Sequence, residues 1–310
     1  MFCKHLLYFF LSIIISGFLI SCKEKKLLKN ELVVQPEAGS EYRVTTKLYT
    51  HLERSTRDAL LAMNLVGNIE WSIGFEKVTI DTIEGYFKFN SIRNNLEIIS
   101  PSSRNYEINT IDTLKALYEK NSKPYAALLG NKHRFILINN RIELIDSSYF
   151  NLSEALPCAH QEDLVSEQFF LLFRDQAVLS YLEHLLLWQL PDTVSGSKTN
   201  SNLRIFQGLT LEVSDTLIVT GQNDQGIALK GTGNVVAWHG LRGVDGILSK
   251  KNHARGKSDI LVNLNSQTGI PNYINIHVIA SGKALNYQTM FPFDLETDIK
   301  HTLSDWKIEM

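Results

Sequence analysis

The sequence predicts an α+β protein: mostly antiparallel, strongly curved sheets or a half-barrel, with one long apolar helix (about 160–190) packed on the concave face. Three observations predict this fold. Many short segments alternate apolar and polar residues with a period of two, which is typical of strands buried on one face. Turn residues such as Gly, Asn and Asp separate these segments. One stretch, Gln161–Leu190, is instead densely apolar and contains no Gly or Pro.

Residues 1–21 have the features of a secretory signal peptide. Lys4 supplies a positive charge, and Leu6–Ile20 is an uncharged run, shorter than the roughly 20 apolar residues that span a membrane. The run ends in Leu19-Ile20-Ser21-Cys22, which resembles the lipobox of bacterial lipoproteins. The resemblance implies cleavage before Cys22 and acylation of its sulfur, so that the protein is anchored to a membrane by lipid. The alternative is an uncleaved signal anchor.

The lipoprotein resemblance also implies a compartment. No Asp and no acidic cluster follows Cys22, so we expect the outer membrane of a Gram-negative bacterium, with the protein facing the periplasm. The basic segment Lys23-Glu24-Lys25-Lys26 suits anionic head groups. Residues 22–40 lack periodicity and are predicted to be the lipidated cysteine and a flexible tether.

Composition excludes some partners. Cleavage before Cys22 would leave 30 basic and 33 acidic residues, a net charge of −3, with no long basic stripe. Nucleic acid is therefore not an expected partner. Cys158 would be the remaining thiol, without a cysteine for an internal disulfide, and its apolar neighbours favour a buried small side chain over a nucleophile.

Residues 41–310 are predicted to form a β-rich body, either as one unit or as two halves (41–150 and 203–310) joined by the helical segment 151–190. Arg57–Met63 is predicted as helix or loop, and Asp112–Lys120 as a helix capped by Thr110 or Asp112. Asn139-Asn140 tolerates the positive φ of a tight hairpin. Strands of the first half are predicted at Tyr42–Thr50, Ile69–Phe75, Lys77–Asp81, Gly85–Ser91, Leu96–Ser100, Tyr125–Leu129, Arg134–Ile138 and Arg141–Ile145.

The apolar stretch Gln161–Leu190 begins with acidic residues, which suits the positive end of a helix dipole. A helix that is apolar over most of its circumference must be covered on several sides. Its aromatic residues either fill the core or line a pocket for an acyl chain or another apolar ligand. The candidate pocket residues are Phe169, Phe170, Phe173, Tyr181 and Trp188.

A second series of strands follows the polar connector Pro191–Asn202. Turns are predicted at Gly221–Asp224, at the glycines 231 and 233, and at Thr268-Gly269-Ile270-Pro271. Residues 240–257 are expected to form an exposed loop rich in glycine and lysine. The predicted strands are Arg204–Val213, Thr216–Thr220, Ile227–Thr232, Val235–Trp238, Asp259–Leu264, Tyr273–Ala280 and Leu285–Phe291.

No catalytic residue, metal site or cofactor is predicted. The nine histidines form no His-Glu-x-x-His or similar motif, and His277 is expected to be a solvated outward position of its strand. Gly256-Lys257-Ser258 lacks the upstream glycine of a phosphate-binding loop, and Gly-x-Ser-x-Gly is absent. The acidic pairs Glu162/Asp163 and Glu296/Asp298 are interpreted as helix starts or solvated faces.

The order of these features resembles a family of Bacteroidetes-type secreted lipoproteins, for which the resemblance implies no particular activity. The matching segments are Gly39-x-x-Tyr42, Pro124–Asp146, Leu190-Pro191 with its connector, and Asp259-Ile260 through Pro271. The strand–helix–strand layout is also similar to the half-barrel carriers that shuttle lipoproteins across the periplasm.

Three functions remain open from the sequence. The first is a non-catalytic lipoprotein that binds an apolar ligand, either lipid or an acyl chain. The second is a structural or assembly lipoprotein that docks an envelope protein, through a sheet edge or the loop 240–257. The third is a hydrolase of envelope glycans or peptides.

Overall fold

The computed structural model describes residues 34–55, 60–100, 102–119, 121–145, 149, 172–173, 175–188, 197–205, 209–224, 226–239, 254–286 and 289–305. Within them, 12 strands form one antiparallel sheet in the order β6-β5-β3-β2-β1-β12-β11-β10-β9-β8-β7, with β4 paired to β3. The strands are β1 Glu41–Ser55, β2 Leu60–Val78, β3 Thr82–Ser100, β4 Ser102–Asn109, β5 His133–Ile138, β6 Arg141–Leu144, β7 Ser197–Ile205, β8 Leu209–Gln222, β9 Gly226–His239, β10 Ala254–Asn265, β11 Pro271–Asn286 and β12 Thr289–Asp305.

The predicted α+β class, with a half-barrel and a long helix, is wrong. The described residues form one open, mostly β structure with three short helices: α1 Thr113–Ala116, α2 Lys123–Ala126 and α3 Asp175–Leu186. Helix α3 has 12 residues, far fewer than the predicted segment 160–190. High apolar density indicates burial and does not fix the length of a helix. Of the predicted joining segment 151–190, residues 151–171 lie outside the described residues, Cys158 among them. Residues 174 and 189–190 do so too.

One pair of strands joins the two β-rich parts of the chain. β1 pairs with β12 from Tyr42↔Asp305 to Arg54↔Phe293. The N-terminal and C-terminal strands therefore belong to one continuous sheet. Ahead of β1, Val34 is buried and the backbone N–H of Gln35 donates to the carbonyl oxygen of Thr268, at the turn between β10 and β11.

An irregularity in β3 explains why the sequence predicted two strands where there is one. The pairing of β2 with β3 shifts between Glu70 and Trp71, leaving Asn90 as an extra residue on β3. Buried positions of β3 are odd-numbered before this point (Phe87, Phe89) and even-numbered after it. A β-bulge of this kind reverses the two faces of a strand, so the period of two is interrupted although the strand continues.

Turns were predicted correctly at three hairpins and incorrectly at one position. The predicted turns at Gly221–Asp224 and Thr268-Gly269-Ile270-Pro271 fall where β8 connects to β9 and β10 to β11. Asn139 and Asn140 have φ values of 51° and 58° and connect β5 to β6, which confirms the predicted tight turn. The predicted strand Tyr125–Leu129 is wrong, because Lys123–Ala126 is a helical turn with a proline at its start. The predicted turn at Gly231 and Gly233 is also wrong, because both glycines lie inside β9.

The sheet has two chemically different faces. On β12, the buried face carries Phe293, Leu295, Thr297, Ile299, His301 and Leu303. The alternate residues, among them Glu296 and Asp298, face the other way. The face that includes His301 is called the interior face because helix α3 packs on it, and the opposite one is called the outer face.

Candidate functional site

Helix α3 packs against the interior face and is buried on almost all sides. Between Ala177 and Trp188, only Leu179, Glu183 and Leu187 are partly exposed. The helix contacts both β6 and β7, which end the sheet on opposite sides, and its His184 contacts His301 of the central strand β12. Because one short helix meets both ends and the middle, the sheet curls around it. The space between them is the candidate site.

A chain of polar side chains crosses this interface. The indole N–H of Trp71 donates to Thr46 Oγ1 over 2.9 Å, and Thr46 Oγ1 lies 2.8 Å from His301 Nδ1. His301 Nε2 lies 3.4 Å from His184 Nδ1. The tautomers of the two rings set the direction of these bonds. In one arrangement the Thr46 hydroxyl donates to His301 Nδ1, His301 Nε2–H donates to His184 Nδ1, and His184 Nε2 carries an N–H.

One ring nitrogen of His184 has no hydrogen-bond partner in the described part of the chain. His184 Nε2 and the hydroxyl of Ser180, one turn earlier on α3, are both buried without a hydrogen-bond partner there. Burial lowers the pKa of His184 to about 4. Burial, with the neighbouring His184, also holds the pKa of His301 well below its usual value. Both rings are therefore neutral at pH 7, so these two histidines bring no charge to the interface.

A second polar row crosses the interior face further along the strands. The hydroxyls of Thr50 and Thr297 lie 2.7 Å apart, and Ser258 donates to Asp215 Oδ1 over 2.5 Å. The strand register places Thr50, Thr297, Ser258 and Asp215 in one row, with Val278 and Gly233 between them.

Asp215 is the acidic end of this row. Its Oδ2 is buried without a partner in the described residues, and burial raises the pKa of its carboxyl group. Gly233 makes room for it, since a Cβ there would lie 2.4 Å from Asp215 Oδ1. Elsewhere on the interior face, both amide atoms of Asn94 are buried without partners. Each such group costs about 1–3 kcal/mol if it stays unpaired.

The predicted pocket residues fall into two clusters. The ring of Phe173 packs against Phe89 and Tyr125, each with centroids 5.5 Å apart. Tyr181 instead packs edge-on against His301 at 5.7 Å, and Trp188 donates to the carbonyl oxygen of His184. Phe169 and Phe170 lie outside the described residues, as do Cys22 and most of the loop 240–257, whose last four residues lie in β10.

The sequence prediction missed the polar residues of the interface. His301 and Thr297 lie in an alternating run that ends β12, and the sequence prediction stopped this strand at Phe291. The regular alternation from Phe293 to Leu303 was the available signal, because it places His301 on the same face as buried leucines and isoleucines. Nothing in the sequence pairs His301 with His184, since that contact depends on how the sheet curls.

No helix among the described segments is both long and apolar enough to cross a membrane. No protein-family model matches the chain, and no curated protein matches it. The likeness to the Bacteroidetes-type lipoproteins therefore stays a prediction from sequence.

Solved structures show only distant likeness to this chain. Lipovitellin, solved in a study of lipid–protein interactions, is 12% identical over 86% of this chain, with a TM-score of 0.44; the chain spans only 25% of that protein. An outer-membrane channel from Pseudomonas putida F1 is 8% identical over 88% of this chain and 98% of its own, with a TM-score of 0.27. OccK7 of Pseudomonas aeruginosa is 6% identical over 87% of this chain and 100% of its own, with a TM-score of 0.22. At these TM-scores the likenesses carry no conclusion about the fold or function of this protein.

Proposed function

We propose that this protein binds an apolar ligand, a lipid or an acyl chain, between helix α3 and the interior face of its sheet, without catalysing a reaction. The observation that carries the proposal is that buried polar atoms of α3 have no hydrogen-bond partner in the described residues. Its surface is apolar, yet Ser180 and His184 keep buried polar atoms unpaired in the described structure. A helix held in this way fills an apolar space and is replaceable by a ligand that fills it better.

The interior face offers suitable contacts. A row across its centre is formed by Leu48, Ile299, Ile276 and Ile260, all buried and aligned by the strand register. Each methylene buried there contributes about 0.8 kcal/mol, so a chain of 16 carbons contributes on the order of 12 kcal/mol. With its hydrogen on Nε2, His184 offers a donor to an acceptor such as an ester or carboxyl oxygen of the ligand.

The proposed location in the cell follows from the predicted signal peptide, residues 1–21. Acylation of Cys22 would hold the protein on the outer membrane, facing the periplasm, where lipids and acylated proteins are available as ligands. Two or three acyl chains anchor a protein far more firmly than one. Loss of membrane attachment in Cys22→Ser, with the protein otherwise folded, is the expected result. Retention of Cys22→Ser in the membrane would support an uncleaved signal anchor instead.

Fluorescence quenching tests the proposed site. The delipidated protein is titrated with palmitate that carries bromine on its acyl chain, because bromine quenches only nearby indoles. We expect saturable quenching, much reduced in Trp188→Phe, since Trp188 lies buried at the end of α3. Unbrominated palmitate is the control for conformational effects. Quenching that does not saturate, or that is unchanged in Trp188→Phe, contradicts a site beside α3.

A further inference from the structure

The outer face of the sheet brings together a histidine and two acids on neighbouring strands. His277 on β11 lies directly opposite Asp298 on β12, and Glu296 lies two residues before Asp298 on the same face. His277 Nδ1 is 3.1 Å from Asp298 Oδ1. One ligand atom from each of the three residues lies within 4.8 Å of the other two. These are distances that rotations of partly exposed side chains can shorten.

The group has an excess of negative charge. Within the described residues, Glu296 forms no hydrogen bond or ion pair, and the side chain of His277 forms a hydrogen bond only with Asp298. Asp259 on β10 lies opposite His277 from the other side, which adds a further carboxylate by register. The lysines of the adjacent rows, Lys257 and Lys300, form no ion pair in the described part of the chain.

A second histidine lies beside the group without joining it. His51 on β1 is the direct cross-strand partner of Glu296. Its two ring nitrogens already face other partners, Asn64 Oδ1 at 2.6 Å and Glu53 Oε1 at 3.2 Å. The carboxylate of Glu296 is therefore left to turn towards His277 and Asp298.

We propose that His277, Glu296 and Asp298 form a binding site for a divalent transition-metal ion, of which Zn²⁺ is the best match. Zinc accepts imidazole nitrogen and carboxylate oxygen as ligands, and three protein ligands leave a fourth position for water. Zinc–ligand bonds of about 2.0–2.2 Å place tetrahedral donors about 3.3–3.6 Å apart, so ligand atoms now up to 4.8 Å apart need to approach one another by at most about 1.5 Å. The imidazole disfavours Ca²⁺ and Mg²⁺, which prefer oxygen ligands.

This site is independent of the proposed ligand site, because it lies on the opposite face of the sheet. An ion there would link β11 to β12 at the middle of the sheet, where the two parts of the chain are joined through β12 and β1. The sequence separates His277 from the acids by about 20 residues, so only the register of the two strands reveals the group.

Isothermal titration of the purified protein with ZnCl₂, at pH 7.5 and 150 mM NaCl, tests the site. We expect His277→Gln and Glu296→Gln each to weaken zinc binding at this site at least tenfold. The matched control is Glu107→Gln, which removes an exposed carboxylate of β4 that faces Arg93. It should leave zinc affinity within twofold of the unsubstituted protein.

A second readout locates the ion. Zinc should shift the ring ¹⁵N resonances of His277 in the unsubstituted protein but not in Glu296→Gln. All variants should unfold within a few degrees of the parent without zinc, because the side chains lie on the outer face. Absence of zinc binding, or binding to His277→Gln with parental affinity, overturns the proposal and leaves the pair of His277 and Asp298 as a surface ion pair.

Discussion

His301 and His51 lie on the neighbouring strands β12 and β1, but on opposite faces of the sheet. His301 is fully buried between Thr46 and helix α3, and burial holds its pKa well below the usual value. His51 lies on the outer face, where hydrogen bonds from its ring to Asn64 and then Glu53 raise its pKa. Successive side chains of a strand point to opposite faces of the sheet, and this alone places the two histidines in different environments. β1 and β12 therefore present a neutral interface on one side and a charged surface on the other.

The difference supports placing the two proposed ligands on opposite faces. His184 and His301 on the interior face are neutral at pH 7, and Asp215 ionises less readily than usual, which suits an apolar ligand with a weakly polar end. The outer face carries the ionised groups that attract cations. The predictions below test this division, from the largest expected effect to the smallest.

A matched pair of substitutions on β10 tests whether side chains on the two faces of the sheet contribute differently to the packing of the core. Ile260 is buried on the interior face, whereas its neighbour Leu261 is 44% exposed on the outer face. Ile260→Ala should lower the free energy of unfolding by about 2–5 kcal/mol, because it leaves a cavity in the core. Leu261→Ala should lower it by about 1 kcal/mol or less. Urea unfolding measures both, and equal losses would show that the two faces are not distinct.

Acid should weaken the interior interface through His184. The unfolded chain binds a proton on this ring below about pH 6.5, whereas the folded protein does so only below about pH 4. Stability linked to His184 is therefore complete above pH 6.5 and lost as the pH falls towards 4. The loss approaches about 3 kcal/mol, and His301 acts in the same direction.

Unfolding by urea at pH 7, 5.5 and 4 measures this loss, with His184→Gln as the comparison. The amide cannot take up a proton, so the variant should lose less stability than the parent between pH 6.5 and 4. His51 has the opposite sign: its raised pKa stabilises the protein below about pH 6.5, and this contribution disappears as the pH rises through its folded value. An identical acid loss in His184→Gln would contradict the role given to this ring.

Substitution of an acid by its amide should have opposite consequences on the two faces. Burial raises the pKa of Asp215, so its ionised form destabilises the fold at pH 7. Asp215→Asn should raise the free energy of unfolding at pH 7 by about 1 kcal/mol, and this gain should shrink as the pH falls and Asp215 takes up its proton. Asp298→Asn, which removes an outer-face partner of His277, should lower it by about 0–1 kcal/mol. A destabilising Asp215→Asn would mean that its carboxylate has a charged partner.

The sequence predicted strands better than the architecture that they build. Alternation located β5, β6, most of β1 and half of β10 and β11, because each keeps one face buried along the predicted segment. It failed at Asn90, where a bulge reverses the faces, and at Gly231 and Gly233, where glycine serves close packing inside a strand and not a turn. Four exposed apolar residues near α1 show the same limit, since periodicity does not reveal which face is covered: Ile111, Leu114, Leu117 and Tyr118.

The candidate sites depended still more on information that is absent from local sequence. Apolar density around 160–190 indicated a buried segment, and α3 is one, but its length and its contacts with β6, β7 and β12 follow from the curl of the sheet. Glu296 and Asp298 were interpreted as a solvated pair, and His277 as a solvated position. Their convergence requires the register of β11 against β12, which a single sequence does not specify.

Native mass spectrometry of the protein purified from its own membranes tests most directly whether an apolar ligand occupies the space beside α3. Covalent acyl chains on Cys22 survive extraction with organic solvent, whereas a bound lipid does not, so the two are distinguished. The proposal predicts a stoichiometric additional mass that is lost on extraction and returns on incubation with envelope lipids. A protein that carries only covalent modifications, both before and after this incubation, would contradict it.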